Sequence, residues 1–206
     1  MKQNIITIKS EGYVHCKSCF YSSCDILSQN LEYSFSQGIN RLIGDIDSGN
    51  WAVSYLLSMY QHKPEDFCLF GDPVVVVDGR SVSINEFSKY SCYMDRYDPL
   101  FSSNVTIKEI IGQGLRDNKN TLTENMVKEL FCIDNERFER PLSGMGNEIF
   151  KAMAAIGYSH EKKLFCFPWM SSKRFESYNK NLVAVLQTLE DLNRTVIVPV
   201  GLDTTK

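Results

Sequence analysis

Four short stretches, near Arg41–Ile43, Val74–Val77, Leu164–Phe167 and Thr195–Val200, are apolar almost throughout instead of at alternate positions. A strand with one wet face alternates, whereas a strand covered on both faces does not. These four are therefore expected as central strands. From Thr106 to Arg140 the period changes: Ile107, Ile110 and Ile111, then Val127, Leu130 and Phe131, recur at helical spacing with no strand pattern between them. Farther on, Ile149, Met153 and Ile156 share one face of a later helix. A Ser or Thr followed three residues on by Glu occurs at Ser83/Glu86, Thr106/Glu109 and Thr121/Glu124, the spacing that caps a helix from both sides, and it predicts three helix starts. Strands alternating with helices predict an α/β domain on a largely parallel sheet.

Composition narrows the function. The 206 residues, 43% hydrophobic, suffice for one sizeable core with room for a smaller lobe. A net charge of −3 with scattered basic residues offers no footprint for nucleic acid. Met1–Lys9 is too short and polar for a signal peptide, and no stretch approaches the roughly 20 apolar residues that cross a bilayer; a cytosolic chain without direct membrane insertion is expected. Seven cysteines, spread over the length of the chain, read as reduced thiols rather than a disulfide framework, with Cys68, Cys92, Cys132 and Cys166 as small core residues. His15, Cys16, Cys19 and Cys24 form the one set with partial zinc-ligand spacing, although four ligands within ten positions of strand-and-hairpin character do not make two converging knuckles.

The candidate chemistry lies at Gly44-Asp-Ile-Asp-Ser-Gly-Asn-Trp51, between an apolar strand and a helical run. A phosphate-binding loop reads G-x-x-x-x-G-K-[ST]: its amides cradle phosphate, its lysine neutralises charge and its hydroxyl meets Mg²⁺. Here Gly44, Ser48 and Gly49 fit the frame, but Asn50 stands for the lysine and Trp51 for the hydroxyl. Asp45 and Asp47 add charge that repels polyphosphate. Downstream, Leu142-Ser-Gly-Met-Gly146 precedes a helix for which Ser143 is the expected N-cap, leaving a helix start able to accept an anion.

In this order, the landmarks resemble those of the nucleotide-binding subunits of ATP-binding-cassette (ABC) transporters over nearly the whole chain. Asp25–Ile43 is similar to the family's strands leading into the phosphate loop, and Val74–Gly79 with Ser83–Phe87 to its strand, turn and short helix. Tyr93–Phe101 and Val105–Ile110 are similar to the Q-loop stretch and the start of the helical subdomain. Leu142, Ser143, Gly144 and Gly146 resemble the signature motif, Lys163–Ser172 the metal-binding strand, and Thr195–Asp203 the final strand. The resemblance implies one P-loop NTPase-like domain over residues 1–206, with a core of about 1–96 and 150–206, an antiparallel N-terminal β part and an inserted helical subdomain of about 97–149. It also implies replaced positions: Arg96 for the Q-loop glutamine, Pro168 for the metal-binding aspartate, Trp169 for the catalytic glutamate, and Gly201 or Leu202 for the switch histidine.

Phosphoryl transfer rests on positioned charge and a held metal, which none of these replacements supplies. The expectation is thus a catalytically inactive ABC ATP-binding-like subunit with no bound metal, for which ATP and Mg²⁺ are doubtful cofactors. It would sit peripherally at the cytoplasmic face of the membrane and pair with an ABC permease subunit, a second nucleotide-binding subunit, or both. Trp51 is expected to fill the phosphate pocket. The alternative is a nucleotide-binding subunit of a heterodimer that completes its partner's ATP site through the signature motif. An interaction protein, metal-dependent or redox-regulated, on an unrelated α/β fold is the competing class.

Overall fold

The computed structural model describes residues 5–17, 23–26, 32–102, 104–177 and 179–201. In chain order the strands are β1 (Ile5–Ser10), β2 (Val14–Cys16), β3 (Cys24–Ile26), β4 (Glu32–Ser36), β5 (Gly38–Ile43), β6 (Phe67–Leu69), β7 (Pro73–Val77), β8 (Arg80–Ser83), β9 (Ser91–Tyr93), β10 (Leu164–Cys166) and β11 (Thr195–Val200). The helices are α1 (Asn50–Met59), α2 (Ile84–Phe87), α3 (Ile107–Asp117), α4 (Glu124–Leu130), α5 (Asn135–Phe138), α6 (Ile149–Ser159), α7 (Ser172–Ser177) and α8 (Asn179–Asp191).

One sheet, in the order β5-β11-β10-β9, is parallel throughout. The other two, β4-β1-β7-β8 and β3-β2-β6, are antiparallel and are built from residues before Ile84. The parallel sheet is a wall between two cores, and its residues alternate between them. Phe165, Phe167, Val196, Val198, Cys92 and Met94 face α6 and α8, while Leu164, Cys166, Ile197 and Tyr93 face α1 and the antiparallel sheets. Helix α1 is thereby covered all round, with every residue from Trp51 to Met59 buried. Its buried hydroxyls find backbone acceptors: Ser54 Oγ donates to the Phe167 carbonyl at 2.7 Å and Ser58 Oγ to that of Ser54 at 2.8 Å. On the far face, Gly157 lets α6 lie close to β10; a Cβ there would stand 2.7 Å from Phe165 Cε1.

The expectation of strands covered on both faces holds for β10 and β11. It fails for Val74–Val77, which lies in an antiparallel sheet between β1 and β8 with only alternate residues buried. It fails for Arg41–Ile43 too, since β5 is the edge of the parallel sheet, with Arg41 and Ile43 exposed. Strand β9 carries no apolar run because Ser91 is polar; its hydroxyl is satisfied inside the core by the Leu57 carbonyl at 2.6 Å. Two of the three predicted caps are found: the Ser83 hydroxyl accepts from Glu86 N–H, and Thr106 forms a complete capping box with Glu109. The third moves two residues on, where Thr123, not Thr121, caps α4 by accepting from Met126 N–H.

Cys92 and Cys166 are core residues as expected, whereas Cys68 and Cys132 are exposed. Burial raises both core thiols, Cys166 to about 12. Unfolding exposes them to ionisation near their ordinary value, so their contribution to stability is complete below about pH 9 and is lost as pH rises toward the folded values. Urea melts between pH 8.5 and 10.5 should show unfolding free energy falling above about pH 9 by roughly 1.4 kcal/mol per pH unit per thiol. Cys166→Ala should flatten the slope by about one thiol's share. An unchanged slope in that variant would show that Cys166 is not the titrating group.

Candidate functional site

Strands β5, β9, β10 and β11 point the same way, so the segments that leave their carboxyl ends gather at one edge of the sheet, the place where open α/β sheets bind ligands. Those segments carry Gly44–Trp51, Met94–Arg96, Pro168–Trp169 and Gly201. Gly44 N–H donates to the Val200 carbonyl at 3.0 Å, Met170 N–H to that of Pro199 at 3.1 Å, and Gly201 N–H to that of Met170 at 2.8 Å. Gly44, Trp169 and Gly201 are thus stitched together, although they lie far apart in sequence.

Trp169 occupies the centre of this edge. Its indole Nε1–H donates to the Gly44 carbonyl at 3.1 Å. On the other side, a Cβ at Gly201 would stand 2.8 Å from Trp169 Cζ2, so only glycine leaves room for the ring. The loop itself is folded inward. Ile46–Ser48 form a 3-10 turn, and Ser48 N–H is used on the Asp45 carbonyl at 2.9 Å. Ser48 and Asn50 lean over Gly44, where a Cβ would meet Ser48 Oγ at 2.6 Å and Asn50 Nδ2 at 2.7 Å. Gly49, at φ 77°, makes the left-handed turn into α1. Asp45 and Asp47 are exposed beside it.

Trp51 does not project into the loop. It is buried to 1% exposure, its ring tilted against Tyr55 with centroids 6.3 Å apart, because the second residue of α1 faces the antiparallel sheets. The tryptophan set against the loop is Trp169, a contact that no local sequence signal announces. Arg96 is exposed, its guanidinium over the Tyr97 ring at 5.5 Å. Asp95, beside it, was missed by sequence reasoning. It is a partly buried carboxylate, raised chiefly by burial, that accepts from Tyr97 N–H at 3.2 Å. Pro168 is half-buried at the end of β10. Leu202 lies outside the described residues.

The Leu142–Gly146 segment belongs to the other core. Leu142 and Met145 are buried anchors, and Ser143, Gly144 and Gly146 are exposed. Ser143 is not the N-cap of α6. It sits in a 3-10 turn, a second such turn spans Gly146–Glu148, and Glu148 takes the cap position without a side-chain cap bond. Nor is that helix start open to an anion. Glu148 already supplies one there, held by Arg137 Nε at 3.1 Å and Lys151 Nζ at 3.1 Å.

The zinc-like set is split by strand alternation. His15 pairs across the ladder with Asp25, Nδ1 to Oδ1 2.6 Å, while Cys16 pairs with Cys24 on the opposite face. Cys19 lies outside the described residues. Burial raises both paired thiols, Cys24 to about 11.

No protein-family model and no curated protein matches the sequence. Solved structures do match the fold. A protein described as an ABC transporter ATP-binding protein, from Pyrococcus furiosus, superposes with a TM-score of 0.61 at 10% identity, covering 98% of this chain and 93% of its own. A bacterial Atm1-family ABC exporter with ATP bound gives a TM-score of 0.61 at 14% identity, covering all of this chain and 36% of its own length. This chain therefore has the α/β fold of ABC transporter ATP-binding proteins, with one parallel and two antiparallel sheets. Among the described residues no helix is long and apolar enough to cross a membrane.

Proposed function

We propose that this chain is a catalytically inactive ABC ATP-binding-like subunit that serves as a structural or regulatory partner of an active ATPase or permease. The observation that carries this reading is Trp169, which donates to the Gly44 carbonyl and packs against Gly201, where phosphate and metal would have to enter. The residues around it reinforce the reading. Pro168 and Trp169 offer no oxygen ligand to Mg²⁺, and Asp45 and Asp47 oppose polyphosphate. On this reading the core is about 1–96 and 150–206, with α3 to α5 in a helical subdomain of about 97–149. The protein acts at the cytoplasmic face of the membrane, in a dimer or on a permease.

The exposed Ser143, Gly144 and Gly146, held up by buried Leu142 and Met145, favour a second reading in which this surface completes a partner's ATP site. The two part experimentally. Calorimetric titration of the purified chain with ATP, with and without Mg²⁺, should give a dissociation constant weaker than about 1 mM, less than about 4 kcal/mol of binding; micromolar affinity would refute the inactive reading. Ser143→Ala in the assembled transporter should leave hydrolysis unchanged on the first reading and abolish the partner site's turnover on the second. Isolation of a lone monomer under conditions that preserve transporter assemblies would count against both.

A further inference from the structure

Strands β2 and β3 set two thiols face to face. Their antiparallel register places Cys16 directly opposite Cys24, on the face of the small sheet that also carries the buried Val14 and Ile26. Directly opposed residues of an antiparallel pair have Cα atoms roughly 4.5–5.5 Å apart, within the roughly 4.4–6.8 Å that a disulfide spans. The backbone already stands at bridging distance. Both cysteines are free thiols; Cys16 is buried and Cys24 only partly so, which gives a reagent access to one member of the pair.

The surroundings decide what the pair can do. Burial raises both thiols above their ordinary value; the neighbouring thiol and then Asp66 add to this at Cys16, as Asp25 does at Cys24. A metal would need both as thiolates, the form this setting penalises. Among the described residues, moreover, no group of three His, Cys, Asp or Glu side chains could hold a metal ion. A disulfide carries no charge and so escapes the cost of burying one. The pair also abuts the Gly44 loop. A Cβ at Gly49 would stand 3.7 Å from Cys24 Sγ and 3.1 Å from Ile26 Cγ2, so β3 lies against the left-handed turn that opens α1. Drawing Cys24 Sγ toward Cys16 changes the contact beneath that turn.

We propose that Cys16 and Cys24 close a reversible disulfide on reaction with a low-molecular-weight disulfide, and that its closing is felt at the Gly49 turn. Cys24 gives up its proton, attacks one sulfur of the reagent and expels the other as a thiolate, which takes up a proton. Cys16, deprotonated in its turn, attacks Cys24 Sγ in the mixed disulfide and expels the second small thiol. The chain thereby loses two electrons and two protons, and the reagent is reduced to two thiols. The step rests on the β2–β3 register, and the ABC reading stands whether or not the bond forms. After the folded full chain is incubated with oxidised glutathione in mildly alkaline buffer, alkylation under denaturing conditions should find two thiols fewer than the seven in the sequence. Fragmentation of the unreduced digest should place the bond between Cys16 and Cys24. Amide NMR should show shifts at residues 49–52 that a reductant reverses, and Cys24→Ala should abolish both effects. No loss of thiols, a bond to any other cysteine, or a mixed disulfide that persists at Cys24 would overturn the proposal, and unmoved amides at residues 49–52 would overturn its coupling to the loop. Mapping in the unmutated chain decides the matter even if the variant does not fold.

Discussion

Trp51→Ala should lower the unfolding free energy by about 3–5 kcal/mol, the cost of emptying a fully buried aromatic site. The indole is 1% exposed and lies in the core shared by α1 and the antiparallel sheets, against Tyr55. A urea melt should show the midpoint falling while the slope stays constant; a loss below about 1 kcal/mol would mean that the side chain is not packed as described. Trp51→Ser, which returns a hydroxyl to the loop position, should cost as much and gain no affinity for ATP with Mg²⁺. The side chain would still face the core shared with the antiparallel sheets rather than a metal.

Trp169 should behave differently because it is only half-buried. Trp169→Ala should cost about 2–3 kcal/mol, below the range for a fully buried aromatic. Trp169→Phe should keep the packing against Gly201 and forfeit the bond to the Gly44 carbonyl, about 1 kcal/mol. The chain has two tryptophans, so each single variant leaves one emitter. In Trp169→Ala the remaining fluorescence should be that of a fully buried indole, and in Trp51→Ala that of a partly wet one. Trp169→Glu, with a carboxylate at the implied catalytic position, should remain without ATP hydrolysis, because Asn50 and Pro168 still supply neither loop charge nor a metal ligand. Turnover in that variant would overthrow the inactive reading.

What could be read in the sequence was set by how local the cause is. Leu164–Phe167 and Thr195–Val200 declare themselves because both faces of their strands are buried, and Thr106 declares its helix because a capping box closes within four residues. Val74–Val77 misleads: four β-branched residues look central, but Arg80, Ser81 and Ser83 on the paired β8 show that the sheet has a wet side. Arg41 was the sign that β5 is an edge. Ser91 hid β9, since a polar residue in a buried strand is intelligible only once its acceptor on α1 is known. At the candidate site, the residues that the resemblance marks as replaced can be named one by one from the sequence, and their arrangement cannot. The bond from Trp169 to Gly44 spans 125 residues, and the turning of Trp51 away from the loop depends on the phase of α1. Ser143 was misjudged as a cap because Glu148, closer to the helix and held by Arg137 and Lys151, takes that place.

Neighbouring residues of β10 are divided between the two cores, Leu164 and Cys166 to one and Phe165 to the other. Loosening either side strips a face from the same three-residue strand, which is paired with both β9 and β11. Neither half should therefore melt and leave the other intact: unfolding should follow one transition, with a lesion among the helices felt in the β layers as readily as one made there.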